Sequence, residues 1–289
     1  MRIRDRLRLV LLCTAVAAVH PACGSKGLEE DGETGSGGQG VPVPPSPSTL
    51  SLNLNVSDQG ADMDAQQMVS AAEMLGANQL RAAGYVLVVN VNIAAQLLVP
   101  VALLRSAATA TPVLTAEDTW TWSYQVTYSN RTWTSNLVGQ KLSDTAYAWQ
   151  MRVTSTPEDG NSCCSDFLFF DGQSSSAGSG SWQMYDPTKP GTGAKLFSVV
   201  YDYKGATDKT LVFTVNSDKS AAERFGKSSS VKYVISGDKI TLEILDSSEG
   251  SKRVIAWNRV SRAGSHTDPQ GNQVCWAGAD ENLADMDCQ

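Results

Sequence analysis

From residue 119 onward the chain is written in a two-residue rhythm. The segment Thr119–Tyr128, TWTWSYQVTY, puts Trp120, Trp122, Tyr124, Val126 and Tyr128 on one side and Thr, Thr, Ser, Gln and Thr on the other. That alternation is the mark of a half-buried β-strand. Further strand-like runs follow at residues 132–139, 146–154, 166–171, 181–185, 196–203, 210–215, 231–235, 240–245 and 253–260. With the first they make about ten. Most are joined by short turn-like stretches, such as residues 129–130, 204–208, 236–238 and 247–250. Short connections make neighbouring strands antiparallel. No internal repeat of fixed period is visible.

Ahead of the strands the rhythm changes to a helical one. Asp62 and Asp64 open a stretch in which Met68, Ala72 and Leu75 fall at helical spacing, with the acidic residues placed to complement the helix dipole. Residues 85–104 are then apolar nearly all round. A transmembrane helix, a buried helix and a strand followed by a helix compete for this segment. Asn90, Asn92, Gln96 and Pro100 count against a lipid-facing span. The β-branched run 86–91 suggests a strand, but the Ala-Ala-Gln-Leu-Leu continuation favours a helix. The expectation is a buried helix over 81–107, kinked at Pro100, with protein on every side. The predicted fold class is therefore α+β, mainly antiparallel β. It is a meander of about ten strands, a barrel or half-barrel packed around N-terminal helices.

The first 22 residues follow a different logic. Four arginines and one aspartate precede an apolar run at 9–19, which ends at His20-Pro21-Ala22-Cys23. Eleven apolar residues are too few to span a bilayer, which takes about 20. They suit a signal peptide. The sequence Ala22-Cys23-Gly24-Ser25 resembles the bacterial lipoprotein signal, in which a small residue precedes a cysteine that is acylated and becomes the mature N-terminus. The resemblance implies acyl chains on Cys23 and attachment of the chain to a membrane through them. Each buried methylene contributes about 0.8 kcal/mol, so several chains make release negligible. Gly24, by resemblance to enterobacterial sorting, implies the outer membrane, with the domain facing periplasm or cell surface. The competing reading is an ordinary secretory peptide cut nearby, which leaves Cys23 as a thiol.

Cysteine number bears on that choice. Of six cysteines, Cys13 leaves with the signal. If Cys23 is acylated, Cys163, Cys164, Cys275 and Cys288 remain as an even set suited to an oxidising compartment. The expectation is two crosslinks tying the tail cysteines to the loop before Phe167. The alternative pairs Cys275 with Cys288.

Residues 23–50 are rich in glycine, serine, acidic residues and then proline. With little to bury, they are expected to form a disordered tether on the order of 30 Å end to end. Residues 51–289 then form one domain, with helices at about 62–107, strands at about 118–260 and a disulfide-stapled tail at 261–289. The net charge of −7 becomes −10 without the signal residues. Such an acidic chain is a poor candidate for nucleic acid or for adsorption on anionic lipid.

The order of helices and strands is similar to the periplasmic lipoprotein carriers of the LolA and LolB type, whose curved antiparallel sheets are closed by helices. That resemblance implies a cavity for acyl chains. A helix filling the barrel permanently would leave no such cavity.

Candidate chemistry is sparse. His266 stands in Ser-His-Thr-Asp-Pro-Gln-Gly, read as an exposed loop after the last strand. Ser265 and Asp268 are only its chain neighbours, and no Gly-x-Ser-x-Gly is present. No Cys-x-x-Cys spacing exists, and a histidine-rich zinc site is excluded by count. The acidic tail residues Asp280, Glu281, Asp285 and Asp287 lack the spacing of an EF-hand loop. No catalytic residue, metal site or cofactor is assigned. The tryptophans 120, 122, 149, 182 and 257 are taken as core, with sugar stacking as the alternative. Three functions follow: an envelope lipoprotein binding an apolar or acyl ligand, a structural lipoprotein docking on an envelope protein, and, least favoured, a hydrolase.

Overall fold

The computed structural model describes residues 41–45, 77–128, 131–157, 164–187, 189, 191–205, 207–216, 228–247, 249–278 and 285–288. Cys23, Cys163 and the segment expected to form the helix of residues 62–75 lie outside them. Among the described residues one helix, α1 (Ala77–Thr109), precedes fourteen strands. The strands are β1 (Val113–Ala116), β2 (Thr119–Tyr128), β3 (Arg131–Lys141), β4 (Ala146–Pro157), β5 (Cys164–Ser175), β6 (Ser179–Tyr185) and β7 (Lys195–Gly205). They continue as β8 (Asp208–Val215), β9 (Ser230–Ser236), β10 (Lys239–Asp246), β11 (Ser251–Asn258), β12 (Gly264–Thr267), β13 (Gln273–Trp276) and β14 (Asp285–Met286).

All fourteen lie in one antiparallel sheet in sequence order, each bonded to the next. The meander is therefore as expected, but it has fourteen strands rather than about ten. The sheet is not closed, because β1 and β14 end the series without pairing to each other. The extra strands are β1, β12, β13 and β14. Residues 261–289 are thus not a mere stapled tail: the Asp-Pro-Gln-Gly stretch is the turn of a β12–β13 hairpin. Asp268 closes that turn by accepting the amides of Gln270 (3.0 Å) and Asn272 (2.9 Å).

The inner face carries the core, and its rows show how. Reading across the strands, Trp120 pairs with Gly139, Gly139 with Trp149, Trp149 with Gly172 and Gly172 with Trp182. At the other end Gly264 lies between Trp257 and Trp276 in the same way. Strands are about 4.8 Å apart, too close for two indoles side by side at full width. A glycine between them gives each ring room to lie across the neighbouring strand. A β-carbon at Gly139 would stand 2.6 Å from the Trp149 ring, and one at Gly264 would collide with Trp276.

Helix α1 lies on this inner face. Its buried residues, Ala82, Val86, Val89, Ile93, Leu97, Pro100, Leu103, Leu104 and Ala107, recur every three or four positions. Leu80, Arg81, Gly84, Arg105, Ala108 and Thr109 are exposed. The expected burial on every side therefore fails at both ends of the helix. Pro100 sits inside the helix, buried. No described helix is long and apolar enough to cross a membrane. The helix touches β2 at one end of the sheet and β12, β13 and β14 at the other, so the sheet bends around it.

Two devices hold the first turn of α1 against the last strands. The Asn78 amide donates to Asp285 Oδ1 (2.9 Å), and its side-chain Nδ2 donates to the Cys275 carbonyl (3.0 Å). A carboxylate at a helix N-terminus satisfies an amide that has no partner within the helix. Cys275 is in turn disulfide-bonded to Cys288, with Cα atoms 5.3 Å apart, which fastens β14 beside β13. The expected crosslinks from the tail to the loop before Phe167 are thus not made; the tail cysteines join each other. Cys164 is also disulfide-bonded and is buried in the core.

Of the expected tether only residues 41–45 are described. Pro42 and Pro45 are buried while Val43 between them is 84 % exposed.

Two glycines give opposite expectations. Gly139→Ala forces the Trp149 ring to shift and is expected to cost about 1–3 kcal/mol, as overpacked cores do. Gly84, in α1, has nothing within 4 Å of an added β-carbon, so Gly84→Ala is expected to raise stability by about 0.5–1 kcal/mol. Urea melts of both variants check the pair, and a neutral Gly139→Ala would show that the indole rows are loosely packed.

Candidate functional site

The apolar rows of the inner face stop at one corner. On β11 the inward positions run Trp257, Ile255, Arg253; on β12 the inward residue beside Ile255 is His266. Helix α1 brings Tyr85 against both. The Tyr85 and His266 rings are 5.2 Å apart between centroids, and the Arg253 guanidinium stands 4.3 Å from the Tyr85 centroid. Arg81 lies one helical turn before Tyr85 and so shares its face. Tyr85 is thus a plate with an imidazole and a guanidinium held against it. A cation in this position over an aromatic ring contributes about 0.5–2 kcal/mol.

His266 is not the exposed loop residue its sequence context suggests. It is 2 % exposed, and its Nε2 has no hydrogen-bond partner. Its pKa is lowered, first by burial, then by Arg253 and Arg81, against a smaller opposing pull from Asp268. The imidazole is therefore held neutral. Ser265 pairs with Ala256 and Cys275 on the register beside it, on the opposite face of β12, so no serine–histidine pair forms. Asp268 is occupied by its own turn, and its Oδ2 accepts Asn272 Nδ2 at 3.0 Å.

Elsewhere the described inner face carries the core. All seven tryptophans are accounted for as buried residues, at positions 120, 122, 133, 149, 182, 257 and 276. Trp149 Nε1 donates to Ser174 and Trp276 Nε1 to the Arg262 carbonyl. The best-formed cavity among the described residues is about 10 Å³, between Leu97 of α1 and Phe170, Trp182, Met184, Phe197 and Val199 of the sheet. That is scarcely the space of one water. Burial pushes the hydroxyls of Tyr203 and Tyr233 up to about 12, so both are neutral hydrogen-bonding groups. Among the described residues no three metal-ligating side chains come together; residues 280–284 lie outside them.

No family model matches the chain, and neither does any curated protein or solved structure.

The histidine gives a pH dependence with a definite sign. A pKa depressed on folding from its ordinary value near 6.5 means the unfolded chain binds the proton more readily. Its contribution is complete above pH 6.5 and is lost as pH falls below that value toward the folded pKa. Thermal melts between pH 7.5 and 5 are expected to show a steeper loss in the native chain than in His266→Leu. Parallel curves for the two would place the imidazole in solvent.

Proposed function

We propose that the protein is a non-enzymatic cell-envelope lipoprotein, anchored through acyl groups on Cys23, whose folded domain acts through its surface by docking on another envelope component. The anchor reading is supported by the basic, apolar and Ala-Cys-Gly order of the first 24 residues. The choice of surface over cavity is supported by one observation, the packing of α1 on the inner face, where the best-formed cavity among the described residues measures about 10 Å³. An acyl chain needs hundreds of Å³. In the half-barrel reading of the sheet, α1 takes the place that an acyl chain has in carriers of the LolA and LolB type.

Two experiments separate the parts of this reading. Cys23→Ser is expected to move the protein from the membrane to the soluble fraction, and a variant that stays membrane-bound would remove the lipid anchor. Native mass spectrometry of gently extracted protein is expected to show the acylated chain with no further lipid. A stoichiometric non-covalent lipid would restore the carrier reading and require α1 to leave the sheet.

A further inference from the structure

The corner formed by Arg81, Tyr85, Arg253 and His266 has a charge problem. Arg81 and Arg253 both lie close enough to His266 to depress its protonation, and Arg81 is in the second turn of α1, near the positive end of the helix dipole. Neither arginine has a carboxylate within 4.0 Å among the described residues, whereas Arg152 and Arg259 are paired to Asp166 and Asp238. Of the two acids nearby, Asp268 acts on Arg253 only through space while its oxygens bond within the β12–β13 turn, and Asp285 accepts the Asn78 amide. Arg253 is also an anomaly of position. It occupies an inward register, opposite Ile244, on a face that carries mostly apolar residues and no other described charged side chain on β11, yet it is only half-buried because it is the third residue of β11, at the sheet rim. Arg81 is exposed. A solvent-reachable guanidinium held on an aromatic plate thus stands beside the helix face that carries a second, exposed one, on a chain of net charge −7.

We propose that this corner binds a phosphate oxyanion. Two guanidinium forks arriving from different elements suit a tetrahedral dianion, which offers each fork its own oxygen edge; a planar carboxylate is satisfied by one fork. Tyr85 fixes the plane of Arg253, so little side-chain freedom is lost on binding. His266 lies behind the plate and reports on the site, because an anion offsets the repulsion that the two arginines exert on its protonated form. The proposal rests on neither the lipid anchor nor the docking function. The same chemistry is presented by free phosphate and by a phosphomonoester lipid headgroup.

The test uses the chain lacking residues 1–23, labelled with ¹⁵N-histidine, at constant ionic strength. Its single remaining histidine makes the spectrum unambiguous. Inorganic phosphate and, separately, dihexanoyl phosphatidic acid are titrated against acetate and chloride controls. Saturable movement of the His266 signals with either phosphate ligand, and an upward shift of its titration midpoint, are expected. Arg253→Gln and the exposed Arg81→Gln are each expected to weaken binding at least tenfold while the far-ultraviolet circular dichroism is unchanged. Saturation with phosphate alone identifies a free ligand, and saturation with the lipid alone identifies a headgroup. No saturable shift with either, an equal response to acetate, or undiminished binding by Arg81→Gln would overturn the proposal.

Discussion

The fold depends on fitting tryptophan into a sheet whose strands are only about 4.8 Å apart. Five indoles lie in two lateral rows, and in both rows glycine separates them: 120-139-149-172-182 and 257-264-276. Glycine in a strand interior normally costs stability through backbone entropy and lost packing. Here a tryptophan covers the position, so the lost packing is restored by a neighbour's ring. The rows also fix register. A slip of one residue in any of these strands would turn an indole outward and set a β-carbon against the next ring.

A meander of this length buries one face only if something covers it, and α1 is that element. Its ends meet opposite ends of the sheet, so covering the face and bending the sheet are one event. The contacts that fasten it span almost the whole chain, Asn78 to Asp285 being 207 residues apart. Strand pairing is local throughout, hairpin after hairpin, whereas helix docking is not. The Cys275–Cys288 bond lies at this last junction. It fastens β14, two residues long, which could not hold the carboxylate cap by its own two register pairs.

The sequence was legible where physics is local. Alternation located the ten strands from β2 to β11 within a few residues, because each has polar residues outside and apolar ones inside. The missed strands lack that signature. The four residues of β1 are all exposed, and β12 reads Gly-Ser-His-Thr, whose inward members are a glycine and a histidine rather than two aliphatics. Those substitutions exist because Trp276 fills the glycine position and Tyr85 the space beside the imidazole, and Tyr85 is 181 residues distant in sequence. The site was invisible for the same reason. Arg81, Tyr85, Arg253 and His266 share no spacing that a motif would record, and only the docking of α1 brings them together.

The outer face and the inner face divide the possible chemistry unequally. Outside, β2 and β3 carry cross-strand pairs of short polar side chains, Ser123 with Asn136 at 2.7 Å, Gln125 with Thr134 at 3.3 Å and Thr127 with Thr132 at 3.3 Å. These satisfy one another and leave a level, uncharged surface. The sheet's two free edges are the short strands β1 and β14, and short edges are the usual protection against unwanted strand addition. Inside, most of the described positions are apolar, with Ser135 and Ser155 buried among them. What remains is the rim where the last strands meet the first turns of the helix. A buried histidine whose Nε2 has no hydrogen-bond partner, and an arginine held on a tyrosine, reduce the stability that an aliphatic corner would have had. Folding alone gives no reason for their presence, since Leu and Val would complete the same rows. The imbalance is of the kind that a bound anion corrects, and it lies at a corner of the inner face that solvent can reach.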